Sequence, residues 1–208
     1  MYVPPHFKED DVARLHGAIR DAGLATLVTL TAGGLIASHV PMLLDADAGP
    51  FGTLVGHLAK PNPQAAGAIG EALAIFQGPD GYITPSWYAT KQETHKVVPT
   101  WNYAAIHAYG TLEFFDDPAR LLEVVTRLTE RHESGRAAPW AVSDAPVDFV
   151  QGMLKGIVGF ALPIVRLEGK VKMSQNRPPA DREGVIAGLR ADGKDAVAEA
   201  VAAAAPPG

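Results

Sequence analysis

The run LATLVTL (24–30), TAGG (31–34) and LIASHVPMLL (35–44) decides the fold: two apolar, β-branched segments flank a tight glycine turn. Such a pattern predicts a β-hairpin, because glycine supplies the positive φ that a two-residue loop demands. Working outward, DADAGPFG (45–52) has turn composition and TLVGHLA (53–59) reads as a third strand. KPNPQAAGAIG (60–70) predicts a short helix or turn, and EALAIFQG (71–78) a short strand. GYITPSWY (81–88) begins extended and is interrupted at Pro85, and the polar segment from 89 reads as a loop at the rim of a site. AAIHAYGTLEFFD (104–116) is extended in character, and IVGFALPIVRLEGKVKMS (157–174) alternates like a strand pair bent at Pro163.

Helices are expected at the margins. Val12, Leu15 and Ile19 recur at helical spacing, with Asp10 or Asp11 as cap and Gly23 placed for a left-handed terminator. DPARLLEVVTRLTERHES (117–134) combines an acidic cap, a proline at the first helical position and apolar Leu121, Leu122, Val125 and Leu128. A short helix is expected from about Pro146, another near 181–189, and a weaker alanine-rich one before a frayed end. Strands without βαβ alternation argue for a mainly β protein, an antiparallel barrel with helical additions, and against a Rossmann topology.

Composition narrows the functional classes. The 208 residues are 47% apolar and 20% charged, ordinary for a folded chain, with a net charge of -5 that offers nucleic acid no overall attraction. The sequence holds no cysteine, so redox work falls to a bound cofactor. No apolar run is long enough for a membrane helix and MYVPPHFKEDD lacks a signal-peptide core, so a cytoplasmic location is expected.

Three segments carry candidate chemistry. GHLAKPNPQ (56–64) places His57, Lys60, Asn62 and Gln64 after a strand, where a lysine and backbone N–H groups at a helix start would suit a phosphate. A solvated polar loop explains it equally well. YITPSWYATKQETHKVVPTWNY (82–103) crowds tryptophans and tyrosines into a polar stretch, which suits a planar heterocycle; core or dimer anchoring by Trp87 and Trp101 is the plainer reading. GKVKMSQNR (169–177) puts Lys172 and Ser174 on one side by alternation, toward an anion, although a solvated strand end would look the same. His57, His95 and His107 lack metal-binding spacing, Ser86 lacks a nucleophile elbow, and no phosphate-binding glycine pattern occurs.

These segments, with MYVPPHF (1–7), IFQGPDGYITPSWY (75–88), VPTWNY (98–103) with the following IHAYG, and DREGVIAGL (181–189), occur in one order across about nine tenths of the chain. In that order they resemble the PaiB-type FMN-binding regulators of the split-barrel superfamily. The resemblance implies a six-stranded antiparallel split β-barrel over residues 1–178, a C-terminal helical extension over 179–208, and FMN bound at a homodimer interface. It further implies phosphate or ribityl contacts from Lys60 and Asn62, with His57 lining the same pocket and Thr26 and the strand end His39, Val40 and Pro41 nearby. Trp101 and Asn102 resemble ring-edge or partner-subunit contacts, and Lys172, Ser174, Gln175 and Arg177 the closing wall of a crevice shared with Lys60. Pro61, directly after Lys60, removes one backbone donor from that arrangement. The family's regulatory role makes DNA a possible partner by resemblance, while the acidic charge and the lack of a helix-turn-helix argue against direct, strong binding. The alternatives are an FMN-dependent oxidoreductase drawing on NAD(P)H or another donor and, second, a haem-binding split-barrel protein.

Overall fold

A computed structural model describes residues 1–204, and the frayed end expected at the terminus lies outside them. The strands are β1 (Lys8–Glu9), β2 (Ala25–Thr31), β3 (Gly34–Val40), β4 (Leu43–Asp45), β5 (Thr53–Ala59), β6 (Ile69–Ile83), β7 (Thr100–Thr111), β8 (Glu113–Phe115), β9 (Ile157–Pro163) and β10 (Arg166–Lys172). The helices are α1 (Val12–Asp21), α2 (Pro63–Gly67), α3 (Thr90–Thr94), α4 (Pro118–Glu133), α5 (Val147–Leu154), α6 (Pro179–Ala191) and α7 (Asp195–Ala203). A six-stranded sheet runs β1-β10-β7-β6-β2-β3 and a four-stranded sheet β4-β5-β9-β8, giving the mainly antiparallel architecture with flanking helices that the sequence predicts. Among the described residues no helix is long and apolar enough to cross a membrane.

The deciding hairpin forms, β2 pairing antiparallel with β3. Thr31 faces Gly34 across the turn, Thr26 faces His39, and Gly34 takes φ 107°, open to glycine at little cost. The second run does not continue as one strand: Pro41 separates β3 from β4, which belongs to the other sheet. β6 departs from expectation in the opposite sense, joining the strand expected at 71–78 to the extended start expected at 81–88 through residues 79 and 80, which the sequence leaves as a break. Gly78 allows this, since a Cβ there would stand 2.9 Å from the Ala104 Cβ. At α1, Asp11 caps by accepting from the N–H groups of Ala13 and Arg14, whereas Gly23 is not among the left-handed residues.

The chain divides into two compact units. One comprises Met1–Leu15, Gln77–Ile106 and the chain from Glu168 onward; the other comprises His16–Phe76 and His107–Leu167. In the first, α6 and α7 supply Val185, Leu189, Val197 and Val201 to a core shared with Ile83, Tyr88 and Met173. The C-terminal helices are therefore part of that core. In the second, α4 covers the four-stranded sheet, with Val124 and Leu128 packed on Leu43 and Val55. Asp117 accepts from Arg120 N–H and Pro118 opens the helix, as expected, but Leu121, Val124 and Leu128 form the buried stripe. Leu122 stays exposed and Val125 only half-buried, because the face turned to the sheet follows a spacing of three and four residues.

Candidate functional site

In the first unit the strand order sets β10 beside β7, and their ends meet a turn at Met173–Arg177. Thr100 and Asn102 are two residues apart on β7 and so share a face. Lys172 Nζ donates to Thr100 Oγ1, and Asn102 Nδ2 donates to Ser174 Oγ at 2.9 Å. The turn is held open for this. Ser174 adopts φ 60°, a left-handed conformation that costs a residue with a side chain about 1–3 kcal/mol. Gln175 compensates by accepting from Met173 N–H at 2.7 Å and donating to Val171 O, and Arg177 N–H closes on Ser174 O at 3.0 Å.

Three cations gather in this corner. Lys170 is buried, donates to Tyr2 O at 3.2 Å and lies 5.0 Å from the Tyr103 ring, while Arg177 sits 4.5 Å over the Tyr88 ring. No carboxylate pairs with Lys170, Lys172 or Arg177 among the described residues. Burial holds the Lys172 ammonium below the ordinary lysine range; Tyr103 opposes that shift, and the neighbouring Lys170 and Arg177 charges add to it. Beneath them Asn102 is 1% exposed, and its Oδ1 is buried with no hydrogen-bond partner among the described residues. Cations without a counter-ion over an unsatisfied acceptor form a place for an anion that also carries donors. Beside this corner, Trp101 donates to Asp80 Oδ1 at 3.0 Å and lies 6.1 Å from the Tyr82 ring.

The remaining candidates lie in the second unit. Thr26 Oγ1 and His39 Nδ1 are 3.1 Å apart at the exposed hairpin end, Val40 is buried opposite Ala25, and Pro41 presents its carbonyl to Gly56. Asn62 Nδ2 donates to Ser38 Oγ at 2.8 Å and Asn62 Oδ1 accepts from Gln64 N–H, capping α2. Gln64 is fully buried, its Nε2 donating to Leu27 O and Thr29 Oγ1 at 3.0 Å. The N–H groups expected free at this helix start are thus spent: Gln64 on the Asn62 side chain, Ala65 on Asn62 O, and Lys60 on Gly156 O. Lys60 keeps an exposed ammonium but no directed backbone donors beside it. Lys60 belongs to one compact unit and the Lys172–Arg177 corner to the other.

By alternation His57 shares the Val55 face, on which α4 packs, and its Nδ1 is buried without a partner among the described residues. Burial depresses its pKa below 6.5. Between that lowered value and 6.5 the unfolded chain binds more protons than the folded one, so stability rises with pH through this window. Acidification from about pH 7 to 5 is expected to lower the urea midpoint, and His57→Gln to flatten that dependence. An identical slope in the variant would remove His57 as the cause.

Sequence reasoning missed Thr100, Tyr88 and the contact between Thr90 and buried Asp181, in which Asp181 accepts from Thr90 N–H at 2.9 Å and Thr90 Oγ1 at 2.7 Å. Spacing could have found Thr100, two residues before Asn102; nothing local marks Asp181. No group of three His, Asp or Glu side chains suited to a metal ion occurs among the described residues.

The model of the family described as "Putative FMN-binding domain" matches residues 1–166. The chain belongs to this FMN-binding family. An uncharacterised protein of Emericella nidulans is 37% identical, the match covering 94% of this chain and 93% of that one. The protease synthase and sporulation protein PAI 2 of Bacillus subtilis is 33% identical over 91% of this chain and 89% of its own. This second likeness makes the FMN-binding domain one of the PaiB type. Among solved structures, the FAD and haem binding protein from Mycobacterium smegmatis aligns with a TM-score of 0.57 and 21% identity over 79% of this chain and 73% of that chain, a likeness of fold. The residues of the first-unit corner fit FMN: the cations suit its phosphate, and the free Asn102 Oδ1 suits a hydroxyl or ring N–H donor.

Proposed function

We propose that this chain is a regulatory flavoprotein of the PaiB type, acting as a homodimer that reports flavin occupancy to a transcriptional partner. The observation that carries the reading is the cluster of Lys170, Lys172 and Arg177, without an ion-pair partner among the described residues, in the corner that also holds the unsatisfied Asn102 acceptor. Lys172 and Arg177 would hold the phosphate, Ser174 would offer its hydroxyl proton, and Gln175 would keep the turn in position. Bound there, FMN supplies reversible electron transfer. The role of the chain's own residues is to bind, orient and partly dry the cofactor. The regulatory half of the reading draws on the likeness to the protease synthase and sporulation protein PAI 2 of Bacillus subtilis. Titration with FMN, followed by quenching of flavin fluorescence, tests the first half. Turnover of NADH or NADPH across common electron acceptors would favour the oxidoreductase alternative.

Dimerisation is assigned to the exposed aromatic face of the first unit. Trp101, Tyr82 and Val98 are 50%, 51% and 65% exposed, unusual for residues of this size and suited to the centre of an interface. Trp101→Glu is expected to shift the mass in solution toward the monomer, as read by light scattering after gel filtration. A wild-type monomer at all concentrations would remove the dimer from the proposal.

A further inference from the structure

Two cavities adjoin along α4 in the second unit. One, of about 400 Å³, is walled by Leu122, Val142, Val147, Val150 and Leu154. The other, of about 340 Å³, is closed at one end by Lys60, Lys155 and Asp116. Gln151 and Leu154 line both. From Pro118 to Glu130, which line opposite ends, α4 advances roughly 18 Å at 1.5 Å per residue. The trough therefore has an apolar length and a cationic end. Lys60 is fixed at that end because its N–H donates to Gly156 O at 2.9 Å, just past Lys155. Neither lysine has an ion-pair partner among the described residues, and with Asp116 the end keeps a net positive charge. At the other end stands Glu130, also without an ion pair among the described residues. At the mouth of the first cavity Val147 of α5 is 73% exposed, an apolar side chain left open to solvent.

We propose that this trough binds an amphipathic carboxylate, a fatty acid of medium chain length. Its carboxylate lies between Lys60 and Lys155 and its acyl chain runs along α4. The reverse orientation would set the carboxylate against Glu130. The length of the trough, its apolar walls and the single cationic end each match one part of such a molecule. This site stands independently of the flavin reading.

The test is calorimetric titration of the FMN-loaded full chain with dodecanoate, below its micelle-forming concentration, with dodecanol and dodecylammonium as comparison. Dodecanoate is expected to bind at least tenfold more tightly than either, to lose tenfold or more in the Lys60→Glu/Lys155→Glu variant, and to leave flavin absorbance unchanged. Thr126→Trp, which fills the trough from α4, is expected to abolish binding while thermal unfolding stays cooperative. No binding, equal binding of all three probes, or displacement of the flavin would each overturn the proposal. A change in solution mass on Val147→Glu would overturn it too, by making the mouth of the trough an interface between copies of the chain.

Discussion

Lys172→Ala is expected to weaken FMN binding by about 1.5–3 kcal/mol, roughly tenfold to a hundredfold, because it deletes a charge-assisted contact to a phosphate. Arg177→Ala should fall in the same range. The double variant should lose less than the sum, since both cations face one group. Lys60→Ala should change the affinity less than twofold, its segment having no free N–H groups to direct at an anion. Fluorescence titration of the four proteins decides the matter; a large loss at Lys60 with none at Lys172 would move the phosphate to the other unit. The pH dependence has a definite sign. Because burial and like charges hold Lys172 below 10.5, the ammonium is lost early as pH rises, and FMN affinity should decline below the pH at which an ordinary lysine titrates. The fold responds in the opposite direction. Between the lowered value and 10.5 the unfolded chain carries more protons, so stability in the absence of flavin rises with pH over that window.

Gly184→Ala is expected to cost about 3 kcal/mol, the upper end of the usual cost of overfilling a core. A Cβ at Gly184 would lie 2.0 Å from the carbonyl oxygen of Trp87, and one at Gly188 2.2 Å from its ring. The two glycines sit one turn apart on α6 and make a flat bed for Trp87. Backbone cannot move aside as a flexible side chain can, so α6 must lift. For a chain of this size the thermal midpoint should drop by roughly 6–12 °C. Because Trp87 precedes Tyr88, over which Arg177 lies, the same substitution should also weaken FMN binding. A variant as stable as the parent would show that α6 does not rest on Trp87 at all.

Much of this fold could be read locally, and the reasons are specific. The hairpin at 24–44 declares itself because turn chemistry and alternation agree, and α4 because Asp117, Pro118 and the apolar spacing point to one helix. β6 was legible only as two pieces, because QGPDG between them has turn composition and pairing with neighbouring strands keeps it extended. The two units were equally hidden, each being assembled from separated pieces of chain. At the site, Lys172, Ser174 and Arg177 were legible as cations and hydroxyl at a strand end. What the sequence could not convey was that none of these cations has an ion-pair partner among the described residues, a property of three-dimensional neighbours. Gln64 shows the converse: a polar residue in a promising segment turns inward and plugs the hairpin, and its composition is the same in either role.

The left-handed turn at Ser174 bears on any effort to engineer the protein for robustness. Glycine would occupy φ 60° without penalty, and an uncharged residue at Lys172 would escape both desolvation and repulsion. Selection for heat resistance alone would drift toward those replacements and discard the hydroxyl and the ammonium together. With the flavin held as proposed, durability and ligand grip become competing objectives in this corner, and a thermostable descendant should be screened for colour as well as for melting temperature.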